Sequence, residues 1–179
     1  MTSAAESTAG PGAGAGQDVI DQLAGIAPGS RLAELRAQRP DVVRYAQGSY
    51  EALLEPADLG GVSRREREAV ALRVAVLTPS PALVAWHSAR LQELAGEELV
   101  RAVVEQGAEG AGLPAREAAI LRHADLLATA PGAATPANIA ALKEAGLTPR
   151  DIVTISQLIA FVSFQARVLA ALRLFAEEA

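Results

Sequence analysis

Residues 63–93 read SRREREAVALRVAVLTPSPALVAWHSARLQE and predict two helices that fold back on each other about a pair of prolines. Ser63 and Glu66 have the spacing of a capping box, which pairs free backbone N–H groups and begins a helix. After the turn, Ser80 is a predicted N-cap and Pro81 a predicted first helical residue, because proline lacks the N–H that the first turn would leave unpaired. The stretch therefore predicts a helical hairpin.

Two side chains in this hairpin are suited to acid–base chemistry, Glu68 on the first helix and His87 on the second. Glu68 lies about eleven residues before the turn and His87 about eight after it, so at roughly 1.5 Å per residue their depths differ by only about 4–5 Å. We therefore expect the side chains to meet. Two interpretations remain open: an acid–base pair, or a first-turn carboxylate favoured by the helix dipole beside an ordinary, partly buried histidine.

Composition predicts a single all-α domain. Of the 179 residues 50% are hydrophobic but only 3% are aromatic, so the core must be aliphatic and rich in alanine, a strong helix former. Apolar residues recur with the helical period rather than in alternation. The net charge is −5 and there is no basic stripe with interleaved aromatics, so no nucleic-acid partner is expected.

The absence of cysteine excludes disulfides, thiolate catalysis, cysteine-ligated zinc and iron–sulfur clusters within this chain. With only two histidines, a three-histidine zinc site is excluded as well. We predict no metal site and no cofactor.

The N-terminus has neither the basic nor the apolar region of a secretory signal. The longest uncharged apolar stretch, Ile152–Ala166, is shorter than the roughly 20 residues needed to span a bilayer. We expect no membrane partner and a cytoplasmic protein.

The chain divides into a disordered tail (residues 1–16), an N-terminal helical extension (17–61) and a helical domain (62–179). Outside the hairpin, the predicted helices are Gln17–Ala27, Arg31–Gln38, Pro40–Glu55, Glu97–Gln106, Pro114–Ala128, Pro136–Ala145 and Arg150–Glu177. His123 is expected to be structural or surface-exposed. Arg167 either binds a carboxylate, of Glu68 or of a substrate, or is an exposed charge.

Three passages carry a resemblance to a known family: Arg65–Leu91, Arg116–Thr129 and Thr135–Leu172. On these residues the chain resembles the carboxymuconolactone decarboxylase and alkylhydroperoxidase D-like superfamily, from about Val62 to Phe175. The resemblance implies an all-α helical bundle that assembles into homo-oligomers, trimers or hexamers.

In the peroxidase branch of this family a glutamate precedes a Cys-x-x-Cys pair, and a histidine follows the glutamate by nineteen residues. Glu68 and His87 have the same spacing, so the resemblance implies that they occupy the acid and histidine positions. The two cysteine positions are Ser80 and Leu83. A serine hydroxyl cannot replace a thiolate, because its pKa is far higher and it has no reversible oxidation states. This chain alone is not expected to be a thiol peroxidase.

Two functions are compatible with this resemblance. The first is a non-catalytic or accessory subunit, which would pair with a cysteine-bearing relative. The second is a cofactor-independent decarboxylase or lactone-type enzyme in which Glu68 and His87 form an acid–base pair. Arg73 or Arg167 would then bind a substrate carboxylate, with Trp86 as a further substrate-binding residue.

Overall fold

Nine α-helices and no strand make up the described part of the chain, residues 18–110 and 112–177 of a computed structural model. The helices are α1 (Val19–Ala24), α2 (Arg31–Ala37), α3 (Pro40–Leu54), α4 (Arg64–Leu77), α5 (Pro81–Ala95), α6 (Glu97–Glu105), α7 (Ala115–Thr129), α8 (Pro136–Glu144) and α9 (Pro149–Glu177). The all-α prediction is confirmed. The predicted disordered tail lies outside the described residues.

The predicted helical hairpin is formed by α4 and α5. The capping box at its start is present: Glu66 N–H donates to Ser63 Oγ over 3.2 Å, and Ser63 N–H donates to the Glu66 carboxylate over 2.8 Å. Helix α5 begins at Pro81, with Ser80 in the N-cap position. The predicted N-cap position is confirmed, although the Ser80 hydroxyl makes no cap hydrogen bond. Extended backbone and the following proline begin this helix instead.

Helix α4 lies at the centre of the fold and packs against α5, α7 and α9. Its residues Val70, Leu72 and Val74 have no exposed surface, and α9 contributes Leu158 and Val162 in the same state. Full burial of an aliphatic side chain of this size stabilises a fold by about 1.5–3 kcal/mol. The core around the hairpin is therefore rigid enough to hold its polar side chains in fixed positions.

Helix α9 begins with a capping arrangement in which Thr148 N–H donates to the Asp151 carboxylate over 2.9 Å. By length and composition alone, Pro149–Ala176 is long and apolar enough to cross a membrane. This helix is longer than the uncharged stretch Ile152–Ala166, from which the sequence predicts no membrane span. The core helix of a soluble protein passes the same test, and α9 packs against α4 and α7.

The N-terminal helices join the same core. Val19, Ile20, Tyr50 and Leu54 belong to one hydrophobic cluster with residues of α4 and α9. The buried guanidinium of Arg67 ties the segment between α3 and α4 in place by donating to three carbonyl oxygens, those of Leu53 (2.6 Å), Leu59 (2.9 Å) and Val62 (3.0 Å). Helix α3 is thereby fixed beside the hairpin, where two of its polar side chains reach the candidate site.

Candidate functional site

The hairpin brings Glu68 and His87 into contact. His87 Nδ1 lies 2.7 Å from Glu68 Oε2, and the two side chains are 0% and 3% exposed. The expectation that these side chains meet is confirmed, and His87 is fully buried rather than partly buried. The contact follows from their similar depths in two helices that pack along each other.

Glu68 is held on its other side by an arginine that the sequence analysis did not single out. Arg90 Nε donates to Glu68 Oε1 over 2.7 Å, and Arg90 Nη2 donates to Glu55 Oε1 over 2.6 Å. Burial alone would raise the pKa of the Glu68 carboxyl, but the hydrogen bonds and charges of His87 and Arg90 outweigh it and lower that pKa. Glu68 is therefore a buried carboxylate.

Two aromatic residues extend this network. Tyr50 of α3 donates its hydroxyl to Glu55 Oε1 over 3.3 Å, and Trp86 Nε1–H donates to the Tyr50 hydroxyl over 3.4 Å. Burial raises the pKa of Tyr50 to about 12, so its hydroxyl stays protonated. The Arg90 guanidinium lies 5.8 Å from the centre of the Trp86 ring, within the range of a cation–π contact. Trp86 thus contacts this network through both Tyr50 and Arg90.

The proton positions on His87 follow from these contacts. Since the Glu68 carboxylate accepts, Nδ1 of His87 carries the proton in their shared hydrogen bond. Nε2 is buried and has no hydrogen-bond partner. In a neutral imidazole with this arrangement, the Nε2 lone pair is free and can accept a proton.

Ser80 and Leu83, which the family resemblance matches to the two cysteine positions, share a side of α5 with His87. Ser80, Leu83 and His87 follow each other at intervals of three and four residues, which places them on one side of the helix. All three are buried, and Leu83 has no exposed surface. The structure therefore has an aliphatic side chain and a hydroxyl where thiol chemistry would need two sulfur atoms.

The other predicted substrate-binding arginines do not lie against this pair. Arg73 Nε lies 2.5 Å from Asp125 Oδ1, and its Nη1 donates to the Val103 carbonyl over 3.3 Å. It follows Glu68 by five residues, which turns its side chain about 140° around α4. Arg167 is exposed and donates to the Ser163 carbonyl of its own helix. Of the two alternatives for Arg167, its position agrees with the exposed charge, and the cation beside Glu68 is Arg90.

His123, the second histidine, is buried in a separate place between α7 and α9. Its Nε2 lies 2.9 Å from Ser156 Oγ, and that hydroxyl donates to the Ile152 carbonyl over 2.8 Å. A hydroxyl has one proton to donate, so Nε2 of His123 must be the donor in their contact. Nδ1 is buried without a partner, and burial lowers the pKa of this histidine. The structural interpretation of His123 fits these contacts.

The Arg90 side of the network borders a shallow groove of about 500 Å³ between α1 and α5. Leu23, Ala85, Trp86, Ala89 and Arg90 are among its lining residues. The groove does not reach His87, whose side chain has no exposed surface. Among residues 18–110 and 112–177, no three histidine or acidic side chains come together as a metal-binding group.

The residues missed from the sequence are Arg90, Glu55 and Tyr50. Arg90 stands three residues after His87, so helical spacing alone would have placed it on the neighbouring face of α5. Glu55 and Tyr50 come from a helix whose docking position has no local signal in the sequence. Their role depends on the packing of α3 against the hairpin.

No family model and no curated protein sequence matches the chain. Among solved structures, it is similar to an alkylhydroperoxidase AhpD core, an uncharacterized peroxidase-related protein from Ralstonia eutropha JMP134. That protein is 26% identical, with a TM-score of 0.68 over 76% of this chain and 71% of the other. An uncharacterized peroxidase-related protein from Silicibacter sp. TM1040 is 24% identical, with a TM-score of 0.68 over 74% and 68%, which speaks for the fold alone.

The matched structures agree with the all-α architecture described above. The sequence departs from a thiol peroxidase by having no cysteine. The chain contains no cysteine, and its fold is that of the alkylhydroperoxidase AhpD-like superfamily.

Proposed function

We propose that this chain is a non-catalytic, accessory subunit of peroxidase-like type that does not reduce peroxides by itself. The observation that carries this proposal is the buried surface formed by Ser80, Leu83 and His87 on α5. A thiol peroxidase needs a thiolate to attack the peroxide and a second thiol to resolve the sulfenic acid. Neither group exists in this chain.

The closed state of the site also supports a non-catalytic role. His87 has no exposed surface, and its Nε2 is sealed within the core. A general base must come within about 2.6–3.2 Å of the proton it removes. A substrate could come that close only if the side chains that cover His87 moved, whereas a structural pair needs no such opening.

We further propose that the subunit assembles with copies of itself, as a trimer or hexamer, or with a cysteine-bearing relative. Seven of the exposed positions of α9 support self-association, because they recur at alternating intervals of four and three residues, the 3.5-residue spacing of a helix-packing seam. These positions are Val153, Gln157, Ala160, Phe164, Arg167, Ala171 and Leu174. Val153, Phe164 and Leu174 are 56%, 41% and 57% exposed, which is apolar surface that a partner helix would cover.

Peroxide turnover tests the accessory role. The purified chain is assayed with hydrogen peroxide and an organic hydroperoxide in the presence of a dithiol reductant, alone and mixed with a cysteine-bearing relative encoded beside it. We expect no turnover by the chain alone and a changed rate of the relative on mixing. Turnover by the isolated chain, or a relative whose rate never changes over a range of ratios, would overturn the proposal.

A second candidate is a cofactor-independent decarboxylase or lactone-type enzyme. The unpartnered Nε2 of His87 favours it, because a neutral imidazole with a free lone pair next to a carboxylate is suited to moving a proton beside a carbonyl group. The test is a panel of small lactones and β-keto acids, with Glu68→Gln and His87→Ala as controls. Turnover that both substitutions abolish would establish this activity. If no compound of the panel is turned over or stabilises the protein thermally, the candidate is rejected.

A further inference from the structure

Arg90 is the only described residue whose side chain joins the buried Glu68–His87 pair to the N-terminal helices. Its Nε donates to Glu68, which is 3% exposed, while Nη2 donates to Glu55, which is 42% exposed. Glu55 follows α3 directly and also accepts from Tyr50. The guanidinium therefore spans the boundary between the closed interior and solvent.

The charges around Glu68 explain why such a bridge is needed. A buried carboxylate is stable only when opposite charge and hydrogen bonds replace the water it has lost. His87 supplies one N–H donor, and Arg90 supplies a permanent positive charge. Tyr50 and Glu55 are the groups that approach from α3, and neither contributes positive charge. Without Arg90, the least costly response is for Glu68 to take up a proton.

Protonation of Glu68 would reverse the hydrogen bond to His87. A carboxylate accepts from Nδ1–H, whereas a carboxylic acid donates its proton to an unprotonated Nδ1. When Glu68 is a carboxylic acid, the imidazole proton of His87 lies on Nε2, and that nitrogen no longer has a free lone pair. The charge of Arg90 and the tautomer of His87 are coupled through Glu68.

We propose that Arg90 is the positioning residue of this site, holding Glu68 as an oriented carboxylate and thereby fixing His87 as the Nδ1–H tautomer with an unprotonated Nε2. Glu55 holds the outer half of the guanidinium and itself accepts from Tyr50, so the docked helix α3 is part of the site. This inference goes beyond the accessory role, and it applies equally if the pair transfers protons.

The tautomer is measured directly by long-range ¹H–¹⁵N correlation on full-length protein labelled with ¹⁵N-histidine. The chain has only two histidines, so two imidazole spin systems appear. We expect His87 protonated at Nδ1 and His123 protonated at Nε2, because Ser156 accepts from the latter. His123 thus provides an internal reference with the opposite tautomer.

The decisive variant is Arg90→Met, which keeps the apolar stem and removes the charge. We expect the His87 proton to move from Nδ1 to Nε2 in most molecules, with no change at His123. Arg73→Met is the matched control, because it also breaks a half-buried ion pair, with Asp125, on the same hairpin. It should lower stability without changing the His87 tautomer.

Arg90→Lys provides a second arm if the methionine variant does not fold. A lysine keeps the positive charge but cannot donate to both carboxylates from a planar fork. We expect a mixture of the two His87 tautomers, between the wild type and Arg90→Met. An unchanged His87 tautomer in the folded Arg90 variants would overturn the proposal, whatever the peroxide assay or the subunit composition shows.

Discussion

His87 Nδ1 and Glu68 Oε2 lie 2.7 Å apart inside the core, although nineteen residues of chain and a proline turn separate them. Their contact is the one polar interaction that crosses the α4–α5 hairpin with both side chains almost completely buried. Arg90 completes it by pairing with the second carboxylate oxygen. The chain therefore keeps a complete acid–imidazole arrangement in a site that has no thiol.

Glu68→Gln should be strongly destabilising. The substitution keeps the shape of the side chain but leaves Arg90 and His87 without their shared carboxylate. Removal of one partner from a buried ion pair typically costs about 3–5 kcal/mol. Urea unfolding measures the free energy of unfolding.

Glu51→Gln is the matched control for this substitution, because Glu51 is exposed and only accepts from Gln47. It should change stability by less than about 0.5 kcal/mol. Equal midpoints for the two variants would mean that the buried pair contributes nothing to the fold.

The pH dependence of stability should reflect Glu68. Its pKa is lowered in the folded state by His87 and Arg90 despite burial, so the unfolded chain binds a proton first as the solution is acidified. The stabilisation is therefore complete above the unfolded pKa of about 4.3 and is lost as the pH falls through the lower folded pKa. Urea midpoints between neutral and acidic pH should fall less steeply for Glu68→Gln than for the wild type. Parallel profiles would contradict this contribution.

His123 should produce a second loss of stability, which begins at a higher pH than the loss due to Glu68. Burial lowers its pKa in the folded state, so the unfolded chain takes up this proton first. The stability is complete above the unfolded pKa of about 6.5 and declines as the pH falls from there through the folded pKa. His123→Gln can still donate to Ser156 but does not titrate. If the stability of this variant declines with pH as in the wild type, the decline belongs to another titrating group.

Gly107→Ala should displace Arg73 from its ion pair. Gly107 has a φ of +58°, and an added Cβ would collide with the Arg73 guanidinium, which pairs with Asp125. Gly25→Ala is the control, since Gly25 has a φ of +64° but no atom within 4 Å of its added Cβ. The left-handed backbone costs each variant about 1–2 kcal/mol, and only Gly107→Ala should lose the ion pair as well. Equal urea midpoints would argue against the close approach.

Restoring the missing thiols should restore reactivity if the acid–imidazole pair is correctly placed. In Ser80→Cys/Leu83→Cys the new thiols share a helix face with His87, whose Nε2 can accept a thiol proton. We expect thiol-dependent peroxide reduction, measured by consumption of hydroperoxide. When Glu68→Gln is added to this double variant, the rate of peroxide reduction should fall at least about tenfold, the effect of a one-unit change in the pKa of the reacting thiol. A folded but inactive double variant would mean that the pair is purely structural.

The hairpin could be predicted because its signals are local. The Ser63–Glu66 capping box, the proline at the start of α5 and the matched depths of Glu68 and His87 all lie within one stretch of sequence. Arg90 and its partners could not be predicted in the same way. The bond from Arg90 to Glu55 joins α5 to the residue that follows α3, and its position depends on how α3 packs against the hairpin.

The substrate-binding arginines illustrate the same limit. Arg73 and Arg167 were candidates because they are cations near apolar helix segments, but the direction of a side chain depends on the packing around its helix. Arg73 forms an ion pair with Asp125, and Arg167 donates to a carbonyl of its own helix. Helix bounds depended on local capping and were predicted to within a few residues, whereas the partners of long charged side chains depended on tertiary contacts.

Native mass spectrometry of the affinity-tagged chain, purified from its own cells, tests the accessory role most directly. We predict an oligomer that contains this chain together with a subunit that carries the Cys-x-x-Cys pair. A homo-oligomer of this chain alone, isolated without such a partner and active on a lactone or β-keto acid, would contradict the account.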